Sequence, residues 1–377
     1  MKVCYFGAYR ANYSRNQIMI AGLRAAGVEV IECHVSLWTG IEDRVQVASG
    51  KWASWSFVKR VIATYKRLLV KYVALGKDYD VMVLGYPGQL DVFLARLLTW
   101  LRRKPLVLDL FMSIYLIAVE RSLGNKSPIS IKLLRWLEAA ACKLPDLLIC
   151  DTKAYVAWYI KVHKLQSKVF RLIPTGVDDR LVKPIVVTKQ DDDKFRVLYY
   201  GTYIPNHGVD IIVEAANLLK AYSDIHFEFV GEGPTKIEAK QLVERYDLKN
   251  IAFIDWIQRE LLLKKIAETD VVLGAFGTTQ QSIITIHNKI YEALAAKKPV
   301  ISGYSLTVSE AFTHGEHLIL VERANPRGLA DAIIMLRNQP LLRERLAKAG
   351  YNKVVSEFTL EPLGQCFKQY LSEITIK

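Results

Sequence analysis

The sequence predicts an α/β protein made of two doubly wound domains, each built on a parallel sheet. Short apolar segments alternate with longer helical patterns along both halves of the 377-residue chain. A polar stretch with an acidic run, residues 183–195, interrupts this alternation. Because strand–helix–strand units bring their strands parallel through right-handed crossovers, we expect one sheet on each side of that stretch.

Strands are expected where a short apolar segment is bounded by turn residues. In the first half these segments lie near residues 2–7, 28–34, 80–84, 105–109, 146–151 and 168–172. In the second half they lie near residues 196–200, 225–230, 250–254, 270–274, 299–302 and 317–320. The expected organisation is a first domain at 1–182, a linker at 183–195, a second domain at 196–356 and a last helix within 357–377 that crosses back to the first domain.

The composition is typical of a globular protein in a reducing compartment. The chain is 51% hydrophobic and 24% charged. No uninterrupted apolar run reaches the ~18 residues of a membrane span, and residues 1–7 predict a buried strand and not a signal peptide. Five scattered cysteines without a C-x-x-C pair argue against a disulfide framework or a zinc site, and they indicate a cytoplasmic location.

The positive charge lies in one half of the chain. Residues 1–182 contain 27 Lys and Arg against 14 Asp and Glu, whereas the remaining residues contain 24 of each. The whole net charge of +13 therefore belongs to the first half, which indicates an anionic partner for that half.

Residues 51–77 contribute much of this charge. They predict a helix with one apolar face, formed by Trp55, Val58, Ile62, Tyr65, Leu69 and Tyr72. The opposite side carries Lys59, Arg60, Lys66, Arg67 and Lys71. Either the helix packs on the sheet with a solvated basic back, or residues 51–77 contact anionic lipid, with Trp52, Trp55 and Phe57 at the interface. Nucleic acid is not expected, because no nucleic-acid-binding module is recognised.

The most informative segment of the second half is residues 288–301 (NKIYEALAAKKPVI). Lys289 and Glu292 lie one turn apart near the start of a short helix, so they share a face. A helix N-terminus favours an anion by roughly 0.3–1 kcal/mol, a cation there attracts phosphate, and a carboxylate accepts hydrogen bonds from sugar hydroxyls. The alternative is an ordinary surface ion pair, worth about 0.2–0.5 kcal/mol.

Two glycine turns precede that segment. Gly201 follows the strand at 196–200, and Gly231 and Gly233 follow the strand at 225–230. Glycine lets the backbone approach a ligand closely, and the helix start that follows offers unpaired N–H groups. Each turn by itself is also consistent with a plain strand-to-helix connection.

Together the three motifs resemble the glycosyltransferase family that includes glycogen-synthase-like and bacterial group 1 enzymes. The resemblance covers nearly the full length and is strongest from Arg196 to Glu322. It implies the GT-B fold, in which two Rossmann-like domains face each other across a cleft. It also implies sugar transfer with retention from a nucleoside-diphosphate sugar, without a metal ion or another cofactor.

The resemblance assigns roles to residues of this chain. Lys289 would hold the diphosphate and act in catalysis, and Glu292 would bind the nucleotide ribose. The full donor-binding set is Gly7, Arg15, Gly201, Thr202, His207, Gly231, Glu232, Gly233, Ile257, Gly277, Thr278, Thr279, Gln281, Asn288, Lys289 and Glu292. The small polar residues of 274–281 would hold the donor sugar.

The sequence departs from the family pattern in two places. Thr202 and His207 stand where the family commonly has Arg or Lys, and Ile284 stands where it often has a second Glu. Gln281 and His287 are the nearest polar substitutes for that Glu.

In the first half, the loop after the first strand and a second strand end are the candidate positions. Arg10 and Arg15 follow the first strand and are candidate charge partners for the donor or acceptor, or else ordinary surface arginines. Asp109 ends a strand and is the predicted general base or hydroxyl-binding group. The predicted acceptor-side residues are Arg10, Ser113 and Arg121.

We therefore expect a cytoplasmic glycosyltransferase of polysaccharide biosynthesis, peripheral at the inner face of the cell membrane. Its partners would be a nucleotide-sugar donor and a lipid-linked or polysaccharide acceptor. Two alternatives stay open, a catalytically silent homologue that acts as a binding or scaffold subunit and a sugar-nucleotide epimerase with the same fold.

Overall fold

The computed structural model describes residues 1–37, 55–76, 78–121, 128–186 and 192–375. Lys51, Trp52, Lys77 and residues 187–191 of the predicted linker lie outside the described residues. The chain divides into two compact units, one formed by Met1–Thr175 with Leu360–Lys377 and the other by Gly176–Thr359.

The first unit contains a six-stranded parallel sheet in the order β2-β1-β3-β4-β5-β6. Its strands are β1 Lys2–Gly7, β2 Glu29–His34, β3 Val81–Leu84, β4 Leu106–Asp109, β5 Leu147–Cys150 and β6 Phe170–Leu172. Its described helices are α1 Ser14–Ala25, α2 Trp55–Ala74, α3 Asp91–Arg102, α4 Ile114–Glu120, α5 Pro128–Ala141 and α6 Lys153–His163, joined by the last helix of the chain.

The second unit also contains six parallel strands, in the order β12-β11-β10-β7-β8-β9. These are β7 Phe195–Tyr200, β8 Ile225–Val230, β9 Ile251–Ile254, β10 Val271–Leu273, β11 Val300–Gly303 and β12 Ile319–Val321. The helices are α7 Val209–Leu218, α8 Lys236–Arg245, α9 Arg259–Glu268, α10 Gln280–Ile284, α11 Asn288–Ala295, α12 Leu306–Ala311, α13 Pro326–Asn338 and α14 Pro340–Glu357. All twelve predicted strands are present, and the predicted doubly wound class is confirmed.

The boundary between the units differs from the predicted one at residue 182. Residues 176–182 belong to the second unit, because Val177 and Val182 pack in its apolar core. The N–H of Val177 also donates to the carbonyl oxygen of Phe358 at 2.9 Å. The polar stretch 183–195 therefore lies after the point at which the chain passes from the first unit to the second, and does not mark that point itself.

The last helix, α15 (Leu360–Thr375), belongs to the first unit. Leu363, Phe367 and Leu371 share an apolar core with residues of α1 and β1. The backbones of α1 and α15 meet at Gly22 and Gly364, where a Cβ added to Gly364 would lie 1.8 Å from the carbonyl oxygen of Gly22. The contact is therefore possible only without a side chain at Gly364.

Helix α2 does not bury the face that the sequence predicts. Leu68 and Tyr72 are buried, whereas Ile62 and Leu69 are exposed although they belong to the predicted apolar face. The helix carries more apolar residues than its contact with the sheet covers, so the sequence periodicity by itself does not select the buried side.

We expect Gly364→Ala to lower the free energy of unfolding of the first unit by about 1–3 kcal/mol, because the new methyl group must push α15 away from α1. Urea unfolding would measure the change. Ser372→Ala is the matched control on the same helix, since among the described residues the Ser372 hydroxyl bonds only to the carbonyl oxygen of Lys368 within α15. Equal midpoints for the two variants would contradict the proposed close contact.

Candidate functional site

The candidate site lies where the strand order of the second unit reverses. β7 and β10 are neighbours there, and the chain continues from them toward opposite edges of the sheet. Ligands of doubly wound sheets bind outside the carboxyl ends of strands at such a point. The loops that follow β7 and β10 contain six of the sixteen predicted donor-binding residues, namely Gly201, Thr202, His207, Gly277, Thr278 and Thr279.

The turns after β7 and β8 both require glycine, the first for its backbone conformation and the second also for its close packing. Gly201, Gly231 and Gly233 all have a positive φ, at 139°, 129° and 155°. A Cβ on Gly231 would lie 2.1 Å from the carbonyl oxygen of Gly201, and one on Gly233 would lie 2.5 Å from the backbone of Tyr203. Both turns therefore need glycine to hold the backbones together.

Hydrogen bonds join the loops after β7 and β10. The carbonyl oxygen of His207 accepts from the N–H of Phe276 at 2.9 Å, and that of Asn206 accepts from the Ser282 hydroxyl at 2.6 Å. Arg323 donates to the carbonyl oxygen of Gly277 at 2.6 Å and to the Ser282 hydroxyl at 2.9 Å. Burial lowers the pKa of Arg323 to about 10. These bonds fix the segment that was predicted to hold the sugar.

Lys289 is buried at the second position of α11, directly beside the Gly201 turn. Its Nζ atom lies 4.2 Å from the centre of the Tyr199 ring and 3.4 Å from Nδ1 of His207. A Cβ on Gly201 would be 3.4 Å from the same Nζ atom. Burial lowers the pKa of Lys289 to about 7, against the opposing effect of Glu292. The site thus holds an amine that burial makes easier to deprotonate, at a helix N-terminus that favours an anion.

His207 does not replace the cation that the family carries in this loop. Its Nδ1 lies 2.8 Å from the Tyr199 hydroxyl. Burial and the neighbouring Lys289 keep the pKa of His207 well below its ordinary value, so the ring is neutral at pH 7. The positive charge at this place therefore comes from Lys289 and not from His207.

Glu292 lies one turn after Lys289 with its carboxylate partly exposed. Oε2 accepts a hydrogen bond from the Tyr200 hydroxyl at 3.0 Å, and Oε1 lies 3.8 Å from a guanidinium nitrogen of Arg259. Burial raises the pKa of Glu292, while Arg259 opposes this effect. An oriented carboxylate with remaining acceptor capacity suits the hydroxyl groups of a sugar.

The other predicted donor-binding residues of the second unit lie in or near these loops. Gly277 packs against the carbonyl oxygen of Pro205, and the Thr279 hydroxyl caps α10 by accepting from the N–H of Ser282. Ile284 is buried, so the position of the family's second Glu holds a buried apolar side chain here. The remaining members are Thr202 and Glu232 in the two glycine turns, Ile257 after β9, Thr278 and Gln281 around the start of α10, and Asn288 at the start of α11.

Lys236 is a residue of this region that the sequence analysis missed. Its buried Nζ donates to the carbonyl oxygen of Gly231 at 2.9 Å, to Glu232 at 2.6 Å and to Asp255 at 2.7 Å. It therefore ties the glycine turn after β8 to the loop after β9. The sequence does show a lysine two residues after Pro234, at the start of α8. Only the contacts in the structure show that this lysine connects the two loops.

In the first unit, Arg15 and Asp109 form a buried ion pair with each other. Both side chains are fully buried, with Nε to Oδ2 at 2.8 Å and Nη2 to Oδ1 at 3.0 Å. Arg15 also donates to the carbonyl oxygens of Ile173 and Pro174. The structure therefore gives no support to Asp109 as a general base or to Arg15 as a diphosphate ligand, because each satisfies the other's hydrogen-bonding groups.

The other predicted site residues of the first unit lie in different surroundings. Ser113 is buried, caps α4 and donates to Glu138 at 2.6 Å, so its hydroxyl already has partners. The guanidinium of Arg10 lies 4.7 Å from the Tyr13 ring centre, and Arg121 is exposed. Gly7 packs against Asp91, whose Oδ2 accepts from the N–H of Ala8 at 2.8 Å.

Within the described residues, no group of three or more His, Cys, Asp or Glu side chains is gathered in a way that could hold a metal ion. No described helix has both the length and the apolar content needed to cross a membrane.

We expect the stability of the ligand-free protein to depend on pH through Lys289. Because burial lowers its folded-state pKa to about 7 from 10.5, the unfolded chain binds the proton that the folded chain lacks between these values. The free energy of unfolding should therefore rise with pH, by roughly 1 kcal/mol per unit between about pH 7.5 and 9.5. Unfolding of the second unit in phosphate-free buffers would measure it.

Lys289→Met should lose this pH dependence, whereas Lys297→Met should keep it, because Lys297 is exposed at the end of the same helix. Parallel pH profiles for the protein and Lys289→Met would contradict the lowered pKa.

Comparison with known proteins agrees with this geometry. Residues 194–339 match the family model described as "Glycosyl transferases group 1". The lipopolysaccharide core biosynthesis glycosyltransferase LpsD of Rhizobium meliloti is 26% identical over 168 residues, which are 44% of this chain and 46% of that protein. The alpha-D-kanosaminyltransferase of Streptomyces kanamyceticus is 24% identical over 175 residues, 46% of this chain and 44% of that protein. The matches thus span less than half the length of these relatives.

Solved structures match over the whole chain at low identity. HepE of Anabaena, solved in complex with UDP-glucose, has a TM-score of 0.69 at 16% identity and covers 99% of this chain and 100% of its own. Sucrose-phosphate synthase from Thermosynechococcus elongatus has a TM-score of 0.72 at 18% identity, and the match covers 100% of this chain and 99% of that one. Residues 194–339 thus match a group 1 glycosyltransferase domain, in a chain whose two units have the Rossmann-like fold of the GT-B glycosyltransferases.

Proposed function

We propose that the protein transfers a sugar, with retention of configuration and without a metal ion, from a nucleoside-diphosphate sugar to an acceptor. The observation that carries this proposal is Lys289, a buried amine at the start of α11 beside the Gly201 turn. No carboxylate oxygen of the described residues lies within 4.0 Å of its Nζ. A site that concentrates positive potential without a paired anion is suited to bind a diphosphate.

In this mechanism the second unit supplies charge stabilisation and orientation. The Lys289 ammonium and the N–H groups at the start of α11 neutralise the departing diphosphate. Glu292, held by Tyr200, accepts hydrogen bonds from the ribose hydroxyls. The segment 274–281, held by Arg323, binds the donor sugar.

For the substrates, the comparisons suggest where testing should begin. HepE was solved with UDP-glucose, so uridine diphosphate sugars are the first donors to try. The name of LpsD refers to the lipopolysaccharide core, which supports a lipid-linked or polysaccharide acceptor. We place the protein on the cytoplasmic side, peripheral to the membrane.

A silent homologue is the second candidate function, and two observations favour it. Ile284 is buried where the family often has a second Glu, and His207 is neutral where it commonly has a cation. Transfer or hydrolysis of any sugar nucleotide would exclude this candidate. Incubation with donor alone also tests the epimerase alternative, because an epimerase converts the sugar while it stays attached to the nucleotide.

The first test is a thermal-shift screen with UDP, GDP, ADP and their common sugar conjugates. A bound nucleotide should stabilise the folded state by about 2.7 kcal/mol at a hundredfold excess over its dissociation constant. Lys289→Met should abolish the shift, whereas Lys297→Met should retain it. If no nucleotide shifts the melting temperature of the unmodified protein, the assignment of these residues to a donor site is wrong.

A second test addresses the role of Glu292. Glu292→Gln should weaken UDP binding by about tenfold or more, because a hydrogen bond to a charged group contributes roughly 1.5–3 kcal/mol. It should not weaken binding of 2′,3′-dideoxyuridine diphosphate, which lacks the ribose hydroxyls. Calorimetric titration of both ligands into both proteins would show this difference, and equal losses for the two ligands would argue against a ribose contact.

A further inference from the structure

Helices α2 and α3 of the first unit run side by side in a fixed register. The Tyr65 hydroxyl donates to Oδ1 of Asp91 at 2.7 Å, and the Tyr72 hydroxyl donates to the carbonyl oxygen of Leu98 at 3.5 Å. The guanidinium of Arg102 lies 3.9 Å from the Tyr72 ring centre and donates to the carbonyl oxygen of Gly76. Three contacts at the same sequence separation of 26 residues mean that the helices are parallel and level.

The outer side of this helix pair exposes several large apolar side chains. On α2, Ile62, Leu69 and Val73 are exposed on the flank next to Tyr65 and Tyr72, which face α3. On α3, Trp100 is 77% exposed and Leu101 is 75% exposed, together with Phe93 and Leu97. We call these exposed side chains, with the exposed cations of the same two helices, the α2–α3 surface. Large apolar side chains exposed on neighbouring helices are a feature of interaction sites.

The same surface is strongly basic. Residues 55–76 and 91–104 contain nine Lys and Arg and a single acid, Asp91, which is buried. Some of the cations have internal partners, such as Arg96 with Asp146 and Lys71 with the carbonyl oxygen of His34. Lys66, Arg67 and Arg103 are exposed, and Lys66 and Arg67 have no acidic partner within the described part of the chain.

We propose that the α2–α3 surface binds an anionic phospholipid bilayer, with Trp100 and Leu101 inserted among the headgroups and Lys66 and Arg67 on the lipid phosphates. A bilayer interface accepts protruding aromatic and aliphatic side chains without a matching cavity, and its negative potential attracts the surrounding cations. A second copy of the chain fits the surface less well, because a twofold interface would place these cations opposite one another.

This assignment deepens the membrane location that the proposed function includes. It adds α3 to the predicted contact of residues 51–77. Lipid binding is measured without any nucleotide. Failure of the donor site and failure of the lipid surface are therefore separate results.

The test is flotation of the purified full chain with two kinds of vesicle, phosphatidylcholine by itself and phosphatidylcholine mixed equally with phosphatidylglycerol. We expect flotation with the anionic vesicles only. Reversing two charges with Lys66→Glu and Arg67→Glu should reduce partitioning by about tenfold or more. Removing two exposed apolar groups with Trp100→Ser and Leu101→Ser should reduce it by about tenfold.

Matched control variants make the same kinds of substitution at exposed positions of the second unit, outside the α2–α3 surface. Arg345→Glu with Lys348→Glu reverses two exposed charges of α14, and Ile237→Ser with Leu341→Ser removes two exposed apolar groups of the second unit. Both controls should float like the unmodified protein, and all variants should keep its melting temperature. Since the altered side chains are exposed, loss of flotation would not reflect unfolding.

Three results would overturn the proposal. The first is absence of flotation, the second is equal flotation with neutral vesicles, and the third is unchanged flotation of both test variants. Size-exclusion chromatography adds a further contrary outcome. A dimer that Trp100→Ser with Leu101→Ser dissociates would assign the surface to a second copy of the chain.

Discussion

The organisation of the second unit depends on keeping one amine, Nζ of Lys289, inside the protein. Burying a charge without a partner is costly, and a cation at a helix N-terminus also opposes the helix dipole. The Tyr199 ring face and the neutral His207 ring surround the amine without neutralising it. The low pKa of Lys289 follows from this arrangement, and so does the suitability of the site for an anion. The glycine turns and the Arg323 bonds keep the surrounding backbone close enough for the arrangement to persist.

The sequence predicts the repeating parts of the fold well, for a physical reason. Strands buried on both faces are continuous apolar runs, and the helices between them are long enough to show their own period. Lys289 and Glu292 could also be found, because their separation in a helix is fixed by local geometry. The twelve strands and the pair Lys289 and Glu292 share this property, since each is determined by residues near one another in the chain, whereas the packing of Lys289 against Tyr199 and His207 is not.

What the sequence analysis missed depends on contacts between distant residues. Arg15 and Asp109 are 94 positions apart, and nothing near either residue shows that they form a buried pair. The outward position of Ile62 and Leu69 has a similar cause, because α2 has apolar residues on more than one side and only its packing on the sheet selects one. The unit boundary was misplaced because Val177 and Val182 are an isolated pair of apolar residues that only the core of the second unit identifies as buried.

Asp91 has a consequence for the mechanics of the first unit. One oxygen of its buried carboxylate accepts from Tyr65 of α2, and the other accepts from the N–H of Ala8 in the loop after β1. Gly7 has no side chain, which leaves the space that this carboxylate fills. Because the same carboxylate bonds to both segments, a displacement of the loop relative to α2 would break one of these two hydrogen bonds. Through this carboxylate, a displacement of α2 on the outer face of the unit is passed to the loop after β1, at the carboxyl edge of the sheet.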